Sequence, residues 1–292
     1  MDPETAPERF SKTTLTLLAL VLCLGTFARI YPSAGFKSIG FDEQMYATYT
    51  DAAVKYGLTD YARVVDDYIA AQTKQHDAVV PAMRIGLIWP AAIISRMTGV
   101  NGMRAVRIFA AATAVLLLLA TAAIGYRLGT PKQTLIVTAL VAAAPLQIFL
   151  AQRSLGDEPF AFWAVLTAWF FFESLRDPKS RTWVIAFAIS LFMLVLTKEN
   201  AAFVCAALFA TWLCLVLARV TPANFVLLGA AAITGSAAVV ILASYLGGLP
   251  QWFAFYRLYA AKSAAIPYVL RFQDGPWYRY LVDFTLMSPV IV

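Results

Sequence analysis

The stretch RAVRIFAAATAVLLLLATAAIGY, residues 104–126, decides how the chain is read. After Arg107 no charged residue occurs before Arg127. The run approaches the roughly 20 apolar residues with which a helix crosses about 30 Å of hydrocarbon. It has no polar stripe, so it suits lipid on every side better than a half-solvated helix. Working outward, comparable runs recur at 13–31, 133–151, 158–175, 182–198, 200–218 and 224–246, and another begins at 280. Over the whole chain 61% of residues are hydrophobic and 14% charged. Soluble domains carry about a quarter charged residues. An all-α, polytopic transmembrane bundle with about seven crossings is expected, because backbone facing lipid must satisfy its own hydrogen bonds. The runs do not alternate apolar with polar residues, which excludes a transmembrane β-barrel.

The net charge of +6 comes from Lys and Arg scattered between apolar runs. No basic stripe or recognition motif stands out, so nucleic acid is not an expected partner. Cys23, Cys205 and Cys214 lie inside apolar runs and form no disulfide framework. The first run is longer than a signal-peptide core and lacks a clear small-x-small cleavage site, so it reads as a retained anchor.

Basic residues favour the cytoplasmic side of short loops. Placing the N-terminus inside puts Arg9, Lys12, Arg127, Lys132, Arg176, Lys179, Arg181 and Arg219 there together. The long loops 32–103 and 247–279 are then external, and the whole of 1–292 reads as one membrane domain. Residues 81–97 are apolar but short, carry Arg84 and Arg96 near their ends and Trp89-Pro90 in the middle, and read as a helix lying in the interface.

With this orientation the unusual polar residues collect on the external face: Asp42-Glu43, His76-Asp77, Arg153 with Asp157-Glu158, and Lys198-Glu199-Asn200. Each has an ordinary explanation. Acidic residues in the first turn of a 42–56 helix complement its macrodipole, Asp157 can cap a helix that starts with Pro159, and Lys198 can snorkel. Ordinary roles do not account for cations and carboxylates gathering on one side, and ionisable groups at the ends of spans usually mark function.

The order of these features resembles the GT-C glycosyltransferases. An anchor is followed by an external Phe-Asp-Glu helix, an interfacial helix opened by Pro81, and Arg104 and Arg107 entering a span. A Gln-Arg-x-x-x-Asp turn (Gln152 to Asp157) and Thr197-Lys198-Glu199-Asn200 complete the series. The likeness is to family 39 and its relatives, the protein O-mannosyltransferases and lipid A aminoarabinose transferases, and spans residues 10–292. Where protein mannosyltransferases carry a His-Pro-Pro-Leu-like stretch, this chain has His76-Asp77-Ala78-Val79-Val80-Pro81. Residues 274–280 resemble the end of the loop that covers the active site in such enzymes. The apolar end at Val292 is expected of an N-terminal fragment of a longer enzyme.

The resemblance implies transfer of a sugar from a polyprenyl-phosphate donor to an acceptor hydroxyl on a protein or glycolipid, with inversion, at the external face of the plasma membrane. Asp42 matches the position of the catalytic base, with Glu43 beside it. Adjacent residues on a helix point about 100° apart, so the two are not equivalent bases. Phe41, Met45, Tyr49 and Ala53 recur every four residues and are expected to rest on the bundle, placing Asp42 toward the cavity. The leaving phosphate needs fixed cations, for which Arg153 and Lys198 are the first candidates and Arg84 and Arg271 the second. Asp157, Glu158, Glu199 and His76 are expected in the same cavity. The sequence holds one His and no spaced ligand motif, so no metal or other cofactor is expected. Two other classes remain open: a transporter or flippase of a lipid-linked or anionic substrate, which discontinuous helices would support, and a noncatalytic partner in an envelope complex.

Overall fold

The computed structural model describes residues 10–31, 39–74 and 81–263, with 276, 278, 279 and 282. His76, Arg271 and the apolar run expected from 280 lie outside the described residues or almost wholly so. The described secondary structure is helical throughout. In order the helices are α1 (Lys12–Ile30), α2 (Phe41–Tyr56), α3 (Ala62–Lys74), α4 (Ile85–Thr98), α5 (Gly102–Leu128) and α6 (Pro131–Ala143). There follow α7 (Pro145–Ala151), α8 (Asp157–Arg176), α9 (Arg181–Thr197), α10 (Ala201–Leu217), α11 (Phe225–Tyr245) and α12 (Leu249–Ser263). Among them α1, α5 and α11 are long and apolar enough to cross a membrane, as is the bent pair α6–α7 taken as one span. The shorter apolar helices α9 and α10 have 17 residues each, about 25 Å of rise and the low end of spanning length.

The chain divides into two compact units, one of Met1–Ser38, Ala110–Arg153 and Pro276–Val292, the other of Ile39–Phe109 and Ser154–Gly275. In the first, α1 packs on α6 so closely that a Cβ on Gly25 would come within 2.8 Å of Ala142 Cβ and Leu118 Cδ2. The stretch expected as one span, 133–151, is two helices bent by 56° at Ala144. Pro145 has no N–H for the carbonyl of Val141 and ends the ladder. Arg29, 1% exposed, fills the break: Nη2 donates to Val141 O at 2.7 Å, and Nη1 to Ala142 O at 3.1 Å and Gly25 O at 3.0 Å. In return Gln152 Nε2 donates to Ala28 O at 2.7 Å and Tyr31 O at 3.0 Å, at the end of α1. Carbonyls at the end of α1 and at the break, which the helix ladders leave short of donors, are thereby supplied out of water.

In the second unit α8, α9 and α11 pack about Phe171, Phe187, Leu191, Leu194 and Leu227. The expected external segment 41–98 holds three helices whose buried side chains, from Tyr46 and Tyr49 of α2 through Val65 and Tyr68 of α3 to Leu87 and Ile88 of α4, share one core with Leu196, Leu242 and Phe255 of later helices. The α4 helix is buried at Ile85, Gly86, Leu87, Ile88, Ala91, Ala92 and Ser95. It crosses the end of α9 at Gly86, where a Cβ would lie 2.7 Å from Thr197 Oγ1 and 2.8 Å from its backbone N. The buried face of α2 is Glu43, Tyr46, Tyr49, Thr50 and Ala53, not the expected four-residue stripe, and Phe41 is 53% exposed. A strict repeat of four drifts around a helix of 3.6 residues per turn, while spacings of three and four follow one face.

Candidate functional site

Three helix ends of the second unit meet. Gly40 caps α2, and Glu43 folds back so that its Oε2 accepts the Gly40 N–H at 2.8 Å. Its other oxygen, Oε1, accepts the backbone N–H of Ser154 at 2.8 Å, in the turn that leads into α8. Glu43 is 1% exposed, so its carboxylate is a tie between segments far apart in sequence. Asp42, its neighbour, is open to solvent.

Asp157 opens α8, and its Oδ1 receives Lys198 Nζ at 2.8 Å. Lys198 ends α9 in an extended conformation, and Glu199 and Asn200 lead at once into α10. Arg84, immediately before α4, donates Nε to Glu199 Oε2 at 3.0 Å and Nη2 to Glu199 Oε1. Its Nη1 donates to the Tyr46 hydroxyl. This paired fork is the strong form of a carboxylate contact. Beside it lies a water-sized cavity of about 20 Å³ lined by Met83, Arg84, Lys198, Glu199, Leu242 and Tyr256 among others.

These charges act on Asp42. Loss of hydration among its neighbours raises its pKa, with Asp157 and Glu43 adding to the rise and Arg84 and Lys198 opposing it; the net direction is upward. The result is a solvent-open carboxylate more basic than usual, near an ammonium with donors to spare beyond its one bond to Asp157. Burial pushes Glu199 the same way, but the Arg84 hydrogen bonds and charge, with Lys198, outweigh it and hold Glu199 below the usual carboxylate range.

Of the residues expected at the site, Asp42, Arg84, Asp157, Lys198 and Glu199 come together. Glu43 sits beneath them as a tie, and Glu158 is fully buried. Arg153 belongs to the other unit, its guanidinium 5.2 Å from the centre of the Phe149 ring. His76 and Arg271 lie outside the described residues. Among the described residues no three His, Cys, Asp or Glu side chains group so as to hold a metal ion. Sequence reasoning missed Tyr46 and Tyr256. Tyr46 was within reach of it, one helical turn after Asp42; Tyr256 carries no local signal.

The described chain is all-helical with three or four candidate membrane spans, and is GT-C-like in fold. Solved structures similar to the chain are of the oligosaccharyltransferase AglB from Archaeoglobus fulgidus. In complex with an inhibitory peptide and a dolichol-phosphate, AglB superposes with a TM-score of 0.57 at 15% identity. The apo form gives 0.57 at 14%, and the form tethered to an acceptor peptide containing the NVT sequon gives 0.55 at 15%. Each match covers 96% of this chain and 37% of AglB, so the chain spans little more than a third of the neighbour's length. No protein-family model matches the sequence, and no curated protein matches it.

Proposed function

We propose that the protein is a membrane glycosyltransferase that moves a sugar from a polyprenyl-phosphate donor to an acceptor hydroxyl, with inversion at the anomeric carbon. The observation that carries this reading is Asp42, a carboxylate of raised basicity and open to solvent, set beside the Lys198–Asp157 pair in a GT-C type of fold. Asp42 takes the acceptor proton as the bond to the sugar forms, while the bond from the anomeric carbon to the phosphate oxygen breaks and its electrons leave with the polyprenyl phosphate. Lys198 meets the charge that grows on that phosphate. The dolichol-phosphate and peptides held by the similar structures support a lipid-linked donor and a peptide acceptor. In this reading the N-terminus is cytoplasmic and the site faces outward from the plasma membrane, as the basic residues of the short loops favour. Labelling of cysteines introduced at 176–181 from outside the cell would overturn that orientation.

The bend between α6 and α7 is the discontinuous helix that a transporter would use. Its freed carbonyls accept from the buried Arg29, whose fixed positive charge beside them disfavours a transported cation there. Membranes containing the complete protein, incubated with labelled polyprenyl-phosphate sugars, test the reading directly. Transfer is expected for the parent. In Asp42→Asn it is expected to fall by the 10² to 10⁴ of a lost general base, about 3 to 5 kcal/mol. Undiminished transfer in that variant would remove Asp42 from the mechanism.

A further inference from the structure

Tyr46 lies one helical turn after Asp42, the spacing at which side chains share a helix face. It is 2% exposed, and its hydroxyl binds Arg84, itself 8% exposed. A Cβ built on Gly156, the residue before Asp157, would lie 3.7 Å from the same hydroxyl. Arg84 spends its other two nitrogens on Glu199, which follows Lys198 directly. The base-bearing helix and the cation-bearing turn are thus joined through one guanidinium. With its Nε–Nη2 edge on Glu199 and Nη1 on Tyr46, Arg84 keeps at most two of its five N–H groups for any other partner.

We propose that Tyr46, Arg84 and Glu199 form a latch that fixes the spacing between Asp42 and Lys198, and that Arg84 is a positioning residue, not a ligand of the donor phosphate as the sequence alone suggests. The latch rests on the glycosyltransferase reading for its purpose but not for its existence. Base and phosphate-binding cation must be held in register for transfer, and a displacement of about 1 Å lowers rate on the order of a hundredfold. Glu43 anchors α2 on the side of Ser154, and the latch anchors it on the side of Lys198.

Two variants separate the latch from phosphate binding. Tyr46→Phe removes one hydroxyl and keeps the buried ring. Arg84→Lys keeps the charge but is a single point donor that cannot bridge Tyr46 and both oxygens of Glu199. The test uses the complete protein in lipid nanodiscs, with Cys23, Cys205 and Cys214 replaced and spin labels at Gln44 and Ala202, both exposed. Each variant is expected to broaden the α2 to α10 distance distribution. Each should lower kcat about tenfold to a hundredfold while donor KM stays within about twofold, the double variant being no worse than the poorer single. An unchanged distance distribution in Tyr46→Phe overturns the latch. So does a raised donor KM with unchanged kcat in Arg84→Lys, which marks a lost phosphate ligand. If the parent transfers no sugar from any polyprenyl-phosphate donor, the glycosyltransferase reading fails; the distances still decide the latch.

Discussion

Glu43 and Ser154 are bound across 111 residues of sequence, the carboxylate of one receiving the backbone N–H of the other at 2.8 Å. Through this bond the helix that carries Asp42 is fixed to the turn that carries Asp157. Glu43→Gln replaces an acceptor oxygen with an NH₂ that meets either the Ser154 or the Gly40 N–H, leaving a buried donor without a partner. Such a group costs about 1 to 3 kcal/mol. The variant is expected to melt earlier than the parent in nanodiscs, whereas Asp42→Asn, at an open position, should not. Equal melting of Glu43→Gln and parent would show that the tie contributes nothing.

Gly86 is the contact on which α4 reaches the end of α9. A Cβ there would lie 2.8 Å from the backbone N of Thr197 as well as from Leu196 C. Backbone cannot move aside as a flexible side chain can, so Gly86→Ala pushes the two helices apart beside Arg84 and Lys198. Overpacking of this kind costs about 1 to 3 kcal/mol. We expect a lower melting temperature together with weakened transfer. A variant that keeps both would mean that the crossing has slack.

The apolar runs were legible because length and freedom from charge are local properties: the run read at 224–246 is the helix Phe225–Tyr245, and that at 182–198 is Arg181–Thr197. The bend at Ala144 was not, since the residues on either side are as apolar as those of a straight span and only Pro145 marks it. At the site, carboxylates and cations at helix ends drew notice by type. Their division of labour needed tertiary structure. Nothing local says that Glu43 turns inward to Ser154 while Asp42 stays open, or that Arg84 is occupied by Tyr46 and Glu199.

Arg29 supports the broken helix pair. It is buried and donates to the carbonyls of Gly25, Val141 and Ala142. Arg29→Ala strands the carbonyl of Ala142 and leaves that of Val141 with only the 3.3 Å contact from Ala144 N. An unsatisfied buried acceptor costs about 1 to 3 kcal/mol. Arg29→Lys, with one compact charge in place of a planar fork, should recover part of the loss. Thermal unfolding in nanodiscs should rank parent, Arg29→Lys and Arg29→Ala in that order. If the alanine variant matches the parent, the arginine is not what satisfies the break.

The last prediction concerns pH and the state of Asp42. A base must be ionised to act, and crowding raises the Asp42 pKa above its ordinary 3.8. The acid limb of kcat/KM, which reports the free enzyme, is therefore expected with its midpoint above that value. Lys198 lowers the Asp42 pKa and Asp157 raises it, so Lys198→Ala should move the limb to higher pH and Asp157→Asn to lower pH. Stability follows the opposite sense from activity. A carboxyl whose folded pKa is raised binds its proton more tightly folded than unfolded, so its contribution to stability falls as pH rises from 3.8 through the folded value. Asp42→Asn abolishes that fall and should leave the protein more stable than the parent at neutral pH. Glu199 works the other way. Its folded pKa is depressed below 4.5, so the stability it contributes is present above pH 4.5 and is lost as pH falls through the folded value. Melting temperatures of parent, Asp42→Asn and Glu199→Gln measured across this range separate the two groups. An acid limb that stays in place in both Lys198→Ala and Asp157→Asn would show that the group titrating in catalysis is not Asp42.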